Sequence, residues 1–330
     1  MRFSTLWSLD ATVDPATGRS PVADGIAASW DHDPGSARFF RSSANFIYRL
    51  QRGGKPAYLR IAAASERPRA AIAAEIELLA WLAGAGQEVV RPIPTRDGAA
   101  FATHDTAIGR VHAVLFDGLD GVECDLDDLS LVDMGTWGAA AARLHDALAH
   151  VPAGSHPREP VWRSSFDRVV NGRDTVPEPV RAECRRLQGV LADLPRTPAS
   201  YGLLHTDLEL DNLRWRGEEI AFLDFDEVGE GWYLYDIAKA LSDLLQAGET
   251  ATSPRIAAFL AGYRQVRPLP DDMLSLLPEF FALSEFRSYM SLARAIDLDE
   301  AEAGADWMRD MIHRLRAWMR RNEEGLARSA

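Results

Sequence analysis

The spacing of apolar and polar positions divides the chain into a front third of short apolar runs and a longer remainder of helical periodicity. Asn45-Phe46-Ile47-Tyr48-Arg49-Leu50-Gln51 and Ala57-Tyr58-Leu59-Arg60-Ile61-Ala62 are β-rich runs, and Arg52-Gly53-Gly54-Lys55-Pro56 between them supplies turn residues, so together they predict a hairpin. Over Arg69 to Gly84 the period changes: Ile72, Ile76, Leu79 and Leu82 recur at helical spacing, and Gly84 and Gly86 end the run. Val111-His112-Ala113-Val114-Leu115-Phe116 predicts a further strand, leading into Asp117-Gly118-Leu119-Asp120-Gly121, where the chain must turn sharply.

From Leu129 onward helical patterns dominate. Trp137 to His150 is Ala-rich and periodic, Pro179 to Leu194 is charged and amphipathic, Leu234 to Ala247 is apolar, and three more helices are expected between Ser253 and Ala330. Pro-rich linkers at Val151 to Pro157 and Leu194 to Pro198 interrupt the pattern. Within this helical stretch, Tyr201-Gly202-Leu203-Leu204 and Ile220-Ala221-Phe222-Leu223 read as short strands, with Arg216-Gly217-Glu218-Glu219 as a polar turn before the second. The fold class is therefore α+β, a β-rich front followed by a larger, mostly helical region, with neither an internal repeat nor a low-complexity tract.

A chain of 330 residues is long enough for one large or two modest domains. Its 36 basic residues stand against 49 acidic ones, and a net charge of −13 argues against nucleic acid as a partner and leans towards a cationic small molecule. Two cysteines, Cys124 and Cys184, with no C-x-x-C pair, fit a reducing compartment. No uncharged apolar stretch reaches the ~20 residues that span a bilayer, so no membrane partner and a cytoplasmic location are expected.

The chemistry concentrates in His205-Thr206-Asp207-Leu208-Glu209-Leu210-Asp211-Asn212, followed by Leu223-Asp224-Phe225-Asp226. Transfer of a phosphoryl group needs an acceptor hydroxyl held in line, a carboxylate to receive its proton and a divalent cation to neutralise phosphate charge. In the protein-kinase signature these come as H-x-D-L-x-x-x-N and then D-F-G, and Asp207, Asn212 and Asp224 fall on the matching positions. Any one of these residues alone reads as a solvated loop cap. Four matched positions with apolar strands on both sides read as a catalytic loop.

With these motifs the chain resembles the aminoglycoside phosphotransferase-like family, bacterial small-molecule kinases of protein-kinase-like fold, over roughly residues 25 to 290. Supporting anchors are Leu59-Arg60-Ile61, Glu75 through Trp81-Leu82, Val89-Val90-Arg91-Pro92, the helix from Trp137 to His145, and Tyr235-Asp236-Ile237-Ala238. The resemblance implies a bilobal fold: a nucleotide-binding lobe over 1–116, with 1–25 unassigned, and a helical catalytic and substrate lobe over 117–330. It implies that Asp207 orients or deprotonates the acceptor hydroxyl, that His205 braces the loop, and that Asn212 and Asp224 hold Mg²⁺ on the phosphates of ATP or GTP. It also implies a nucleotide side built from Arg60, Glu75, Ser42, Ser43, Asn45 and the hinge residue Phe116. Asp236 would be a buried carboxylate that bonds the catalytic loop, although on its own it also reads as a first-turn helix acid. His145 reads as a packed core histidine.

Several positions depart from the family pattern. Arg60 stands where a kinase usually has the strand lysine, and its planar fork suits Glu75, which is preferred to Glu77 as partner. No G-x-G-x-x-G precedes that strand, and Arg41-Ser42-Ser43-Ala44-Asn45-Phe46 takes its place with backbone N–H groups and hydroxyls for phosphate. Glu209 sits two residues past the base, where its charge would repel phosphate unless a cation screens it, and Asp226 replaces the last glycine of D-F-G. Both are candidate substrate contacts.

The helical pattern resumes at Leu234, which leaves little room for the peptide platform of a protein kinase. The C-terminal acids Asp271, Asp272, Glu279, Glu285, Asp297, Asp299, Glu300 and Glu302 would either wall a pocket beside Asp207 and recognise amines or form a solvated helix surface. The expectation is an O-phosphotransferase acting on a small-molecule hydroxyl of an aminoglycoside-like or other antibiotic or a metabolite. A stress-response-type Ser/Thr protein kinase, a kinase of homoserine, choline or a sugar, and a nucleotide-binding pseudokinase stay open. So do the choice of ATP or GTP and the oligomeric state.

Overall fold

A computed structural model describes residues 1–42, 45–154, 156–298 and 306–329. They fall into two compact units, Met1–Ala80 with Val90–Leu119 and Leu292–Arg314, and Trp81–Val89 with Asp120–Ser291 and Leu315–Ala330.

The first unit begins with helices α1 (Phe3–Asp10) and α2 (Pro21–Ala27), which the sequence pattern leaves unassigned. Helix α1 buries Phe3, Leu6 and Leu9, one residue per turn; α2 starts at Ser20, whose hydroxyl accepts the Ala23 N–H, with Pro21 in the first helical position. Strands β1 (Arg38–Ser42), β2 (Phe46–Arg52) and β3 (Lys55–Ala63) precede α3 (Arg69–Gly84), and β4 (Pro92–Ile93), β5 (Ala102–Thr106) and β6 (Gly109–Asp117) follow it. The sheet is antiparallel, ordered β1-β2-β3-β6, with β4 and β5 both pairing the far side of β6. The hairpin from β2 to β3 turns at Gly53 and Gly54, both at positive φ (59° and 76°), which a two-residue turn of this hand requires. Strand β2 alternates buried and exposed positions, whereas the middle of β3 from Leu59 to Ala62 is buried throughout, Arg60 included. On α3 the buried face carries Ile72, Glu75, Leu78, Leu79 and Leu82, while Ile76 stays half-exposed.

In the second unit α4 (Leu131–Ala149), α5 (Arg163–Val170) and α6 (Glu178–Ala192) lead to β7 (Tyr201–Leu204), β8 (Leu213–Arg216), β9 (Glu219–Phe222) and β10 (Gly229–Trp232). Strand β7 pairs β10, and β8 pairs β9. Helices α7 (Tyr233–Ala240), α8 (Ser242–Gln246), α9 (Pro254–Val266), α10 (Asp271–Leu274), α11 (Leu277–Ala295) and α12 (Asp306–Ser329) complete the chain. The apolar run from Leu234 to Ala247 is thus two helices broken at Leu241, and the described residues beyond Ser253 form four helices where the pattern suggests three. Helices α4 and α9 touch backbone to backbone: a Cβ on Gly138 would lie 1.9 Å from the Phe259 carbonyl oxygen, and one on Gly262 1.9 Å from that of Gly135. Among the described residues no helix is long and apolar enough to cross a membrane.

Candidate active site

Strand β7 delivers the chain at Leu204 into the loop His205–Asn212, and a buried carboxylate on α7 sets that loop's path. Asp236 accepts the His205 N–H at Oδ2 (2.7 Å) and the Thr206 N–H at Oδ1 (2.8 Å). Its Oδ2 also meets His145 Nε2 at 3.0 Å, and with that nitrogen donating, His145 Nδ1 accepts from the Tyr263 hydroxyl at 2.8 Å. Asp236 and His145 are both fully buried, so each needs these partners to repay its desolvation. Asp236 is therefore the loop-bonding carboxylate of the kinase pattern, and His145 is a packed core histidine that steadies it.

Two non-glycine residues of this region have left-handed backbones, Thr206 (φ 74°) and Asp224 (φ 58°), a conformation that costs roughly 1–3 kcal/mol and persists where the surroundings enforce it. Asp236 enforces it at Thr206, whose hydroxyl also donates to the Glu227 carbonyl at 3.2 Å. His205 ties the two strained points together. Its Nε2 donates to the Leu223 carbonyl (2.7 Å), its Nδ1 accepts the Asp207 N–H (3.3 Å), and its ring packs against Phe225 at 4.6 Å.

Two of the three motif residues, Asp207 and Asn212, lie in this loop, and the third, Asp224, follows β9. Asn212 Nδ2 donates to the Asp207 carbonyl (2.9 Å) and to Asp207 Oδ2 (2.8 Å), while the Leu223 N–H donates to the Asn212 carbonyl (2.9 Å), joining the loop to the strand end that bears Asp224. With Nδ2 committed, Asn212 keeps its amide oxygen as a hard donor, and Asp224 adds a carboxylate. Among the described residues no cluster of three His, Cys, Asp or Glu side chains is grouped to hold a metal alone. An amide oxygen and one carboxylate suit a hard cation that takes its remaining oxygens from phosphate and water.

Lys239, which carries no motif in the sequence, faces this loop from α7. Its Nζ lies 2.6 Å from Glu209 Oε1 and 3.5 Å from Asp207 Oδ1, with 15% of the side chain exposed. Burial works against the ammonium's charge, but Glu209 and Asp207 outweigh it and hold Lys239 above the ordinary lysine range. Burial raises Glu209, helped by the charge of Asp207 and opposed by Lys239. Glu285 on α11 is raised by burial as well, with Lys239 drawing it down and Glu209 pushing it up, so three carboxylates share one lysine. Nearby, Arg287 donates to the Tyr235 hydroxyl (2.6 Å) and lies 3.4 Å from Glu227. Asp226 is half-buried beside the strand end.

The other C-terminal acids divide. Asp271 pairs with Arg264 and Glu279 with Arg186, Asp297 accepts from Ser4, and Asp299, Glu300 and Glu302 lie outside the described residues. Glu285 alone among those described shares its electrostatics with the loop's lysine. It also lines a cleft of about 340 Å³ in the second unit, with Leu245, Phe281, Phe286 and Leu326 as apolar wall.

In the first unit, Arg60 grips Glu75 through both guanidinium nitrogens (2.8 and 2.5 Å), Arg67 shares the same carboxylate (2.7 Å), and the Arg60 guanidinium lies 5.0 Å over the Phe116 ring. Glu75 is the partner that spacing selects over the exposed Glu77, because it lies on the buried face of α3. Phe116 is buried at the end of β6, Ser42 closes β1 opposite Phe46, and Asn45 is buried; Ser43 lies outside the described residues.

Only eight residues, Phe225 to Trp232, separate Asp224 from α7, and four of them are β10 paired with β7, so no peptide-binding platform follows the second aspartate. Residues 36–269 match the model of the phosphotransferase enzyme family. Amicoumacin kinase of Bacillus subtilis (strain 168) is 25% identical over 301 residues, 86% of this chain and 89% of that protein. Among solved structures, amicoumacin kinase hAmiN in complex with AMP-PNP, Ca²⁺ and Ami matches with a TM-score of 0.76 at 23% identity, covering 96% of this chain and 95% of the other. The microcompartment-associated aminopropanol kinase matches with a TM-score of 0.70 at 26% identity, covering 86% and 91%. Because the matched span takes in Arg60, Glu75, the loop from His205 to Asn212, Asp224 and α7 alike, the chain belongs to the phosphotransferase enzyme family and is a small-molecule kinase of protein-kinase-like fold.

Proposed function

We propose that this kinase transfers the γ-phosphoryl group of magnesium-bound ATP or GTP to a hydroxyl of a small cationic molecule. The observation that carries the reading is the clamp on Asp207: Asn212 binds its Oδ2, Lys239 lies beside its Oδ1, and Asp236 fixes the backbone on its N-terminal side. A carboxylate held in that way is a base of fixed aim. The acceptor oxygen forms its bond to the γ-phosphorus as the bond to the β–γ bridging oxygen breaks, the proton passes to Asp207, and the nucleoside diphosphate leaves. Asn212 and Asp224 would hold Mg²⁺, which supplies neutralisation of phosphate charge. Arg60, whose fork is engaged by Glu75, would add positive charge on the phosphate side, and Ser42 and Asn45 would offer polar groups there, with Phe116 at the hinge.

Three features support a cationic acceptor. The chain carries −13 charge, which raises the local concentration of cations. Glu285 stands in a cleft whose remaining wall is largely apolar, the composition of a small-molecule site with few orienting groups. One relative is named for aminopropanol, an amino alcohol. Glu209 is already met by Lys239, so Glu285 is the better placed of the two to take an ammonium group.

The test is release of ADP or GDP against a panel of aminoglycosides, other antibiotics, amino alcohols including homoserine, and sugars, with and without Mg²⁺. Asp207→Asn is expected to lower turnover by more than about 100-fold with nucleotide affinity nearly intact, whereas Asp224→Asn weakens binding of the magnesium nucleotide itself. Wild-type turnover in Asp207→Asn would overturn the assignment of the base.

A further inference from the structure

We propose that Lys239 is a positioning residue for phosphoryl transfer: its ammonium, delivered by α7, holds Asp207 towards the acceptor hydroxyl and cancels the charge of Glu209 so that the anionic γ-phosphate can approach. The inference rests on the reading of Asp207 as the base. The Asp207 carboxylate is held on two sides by different elements, Oδ2 by Asn212 Nδ2 at 2.8 Å from within the loop and Oδ1 by Lys239 Nζ at 3.5 Å from α7. Without the lysine, one side of that grip is lost and the carboxylate gains a rotational freedom that an in-line proton transfer does not tolerate.

The charge arithmetic points the same way. Asp207 and Glu209 are two residues apart on one loop, both 42% exposed, and Glu285 adds a third carboxylate to the same field. A nucleotide brings further negative charge to that place; Lys239 pairs with both loop acids, and Arg287 adds positive charge felt at Asp207. Its placement is also accurate. Lys239 is three residues along α7 from Asp236, which binds the loop backbone, so one turn of helix fixes both the path of the loop and the ammonium that reaches its side chains. A surface ion pair between mobile side chains would have neither property.

The experiment compares Lys239→Met, Lys239→Arg, Glu209→Gln and the double variant Lys239→Met/Glu209→Gln. Each is assayed for ADP release from Mg·ATP with the panel acceptor that gives the fastest turnover and, as a probe that needs no acceptor, for slow hydrolysis of Mg·ATP by water. Lys239→Met is expected to lower kcat by about 100-fold with the KM for ATP moved by less than about threefold, and Lys239→Arg to recover most of the loss. Removing the carboxylate that Lys239 neutralises should restore about tenfold of kcat in the double variant, a rescue that a purely structural ion pair would not give. Wild-type kcat in Lys239→Met, or a double variant no more active than Lys239→Met, would overturn the proposal. If Lys239→Met does not fold, Lys239→Arg against Lys239→Gln carries the same comparison of charge at similar bulk, and equal kcat in those two overturns it. Asp207→Asn run beside them separates the two readings: an active Asp207→Asn removes the base assignment, while an inactive Asp207→Asn with a fully active Lys239→Met removes only the role of the lysine.

Discussion

Glu75 receives three donated hydrogen bonds from two arginines while only 2% exposed. Glu75→Gln leaves two largely buried guanidinium groups facing a neutral amide, and is expected to cost about 3–5 kcal/mol of stability, read as a lower urea midpoint with an unchanged slope. A loss below about 1 kcal/mol would mean that the cluster relaxes into solvent. The partnership with Arg60 was legible through the family resemblance, which pairs the strand cation with a helix glutamate ahead of an aromatic, here Glu75 before Trp81, while Glu77 lies on another helical face. Asp207, Asn212 and Asp224 were legible because they fall on the positions of the kinase signature between apolar runs that read as strands. Lys239 was not, because its meaning arises only when α7 folds back beside the loop, and nothing in Ile237-Ala238-Lys239-Ala240 marks the lysine as different from any other on a helix. The second arginine partner, Arg67, was silent because nothing in Glu66-Arg67-Pro68 marks it as different from any other arginine before a helix.

At the scale of elements, α4 shows how local chemistry sets a helix that the site depends on. Ser130 and Asp133 form a capping box, the Ser130 hydroxyl accepting the Asp133 N–H and Asp133 accepting the Ser130 N–H at 2.9 Å. Ser130→Ala is expected to cost about 1 kcal/mol. Bonds from the Ser130 side chain and backbone hold Asp133 below the usual carboxylate range, so its contribution is present above the unfolded value near 4 and is lost as pH falls through the lower folded value. The stability gap between wild type and Asp133→Asn should accordingly close on acidification below about pH 4, as measured by urea titration across pH 2–7. A gap that stays constant over that range would remove the cap from the account. Where element patterns misled, the causes are equally local. Strand β10 reads Gly-Glu-Gly-Trp, in which Trp232 alone favours a strand, and is a strand because β7 lies alongside it. The run after Leu234 holds no Gly or Pro before Gly248 and so does not announce its break at Leu241. Helix α1 is only eight residues long, too short for its three apolar positions to stand out from a loop.

Across the whole molecule the excess of 13 negative charges has a kinetic consequence. A cationic acceptor should be captured faster at low ionic strength, so its kcat/KM is expected to fall several-fold between about 20 and 300 mM salt, while that of a neutral alcohol acceptor changes little. An identical salt response for both would remove bulk charge from the recognition of the acceptor.

The contact between α4 and α9 leaves a different legacy. His145 on α4 and Tyr263 on α9 are the outer links of the chain that ends at the loop backbone, and glycines at the crossing of those helices allow no larger residue. On the function proposed above, the frame that aims the base is built on α4, α7 and α9, whereas the cleft proposed for the acceptor is lined from α6, α8, α11 and α12 and is linked electrically to the loop through Glu285. On that reading drift in the apolar positions of the wall, Glu285 apart, exchanges acceptors without detuning the base, and a scaffold of this kind inherits its chemistry while its lining changes.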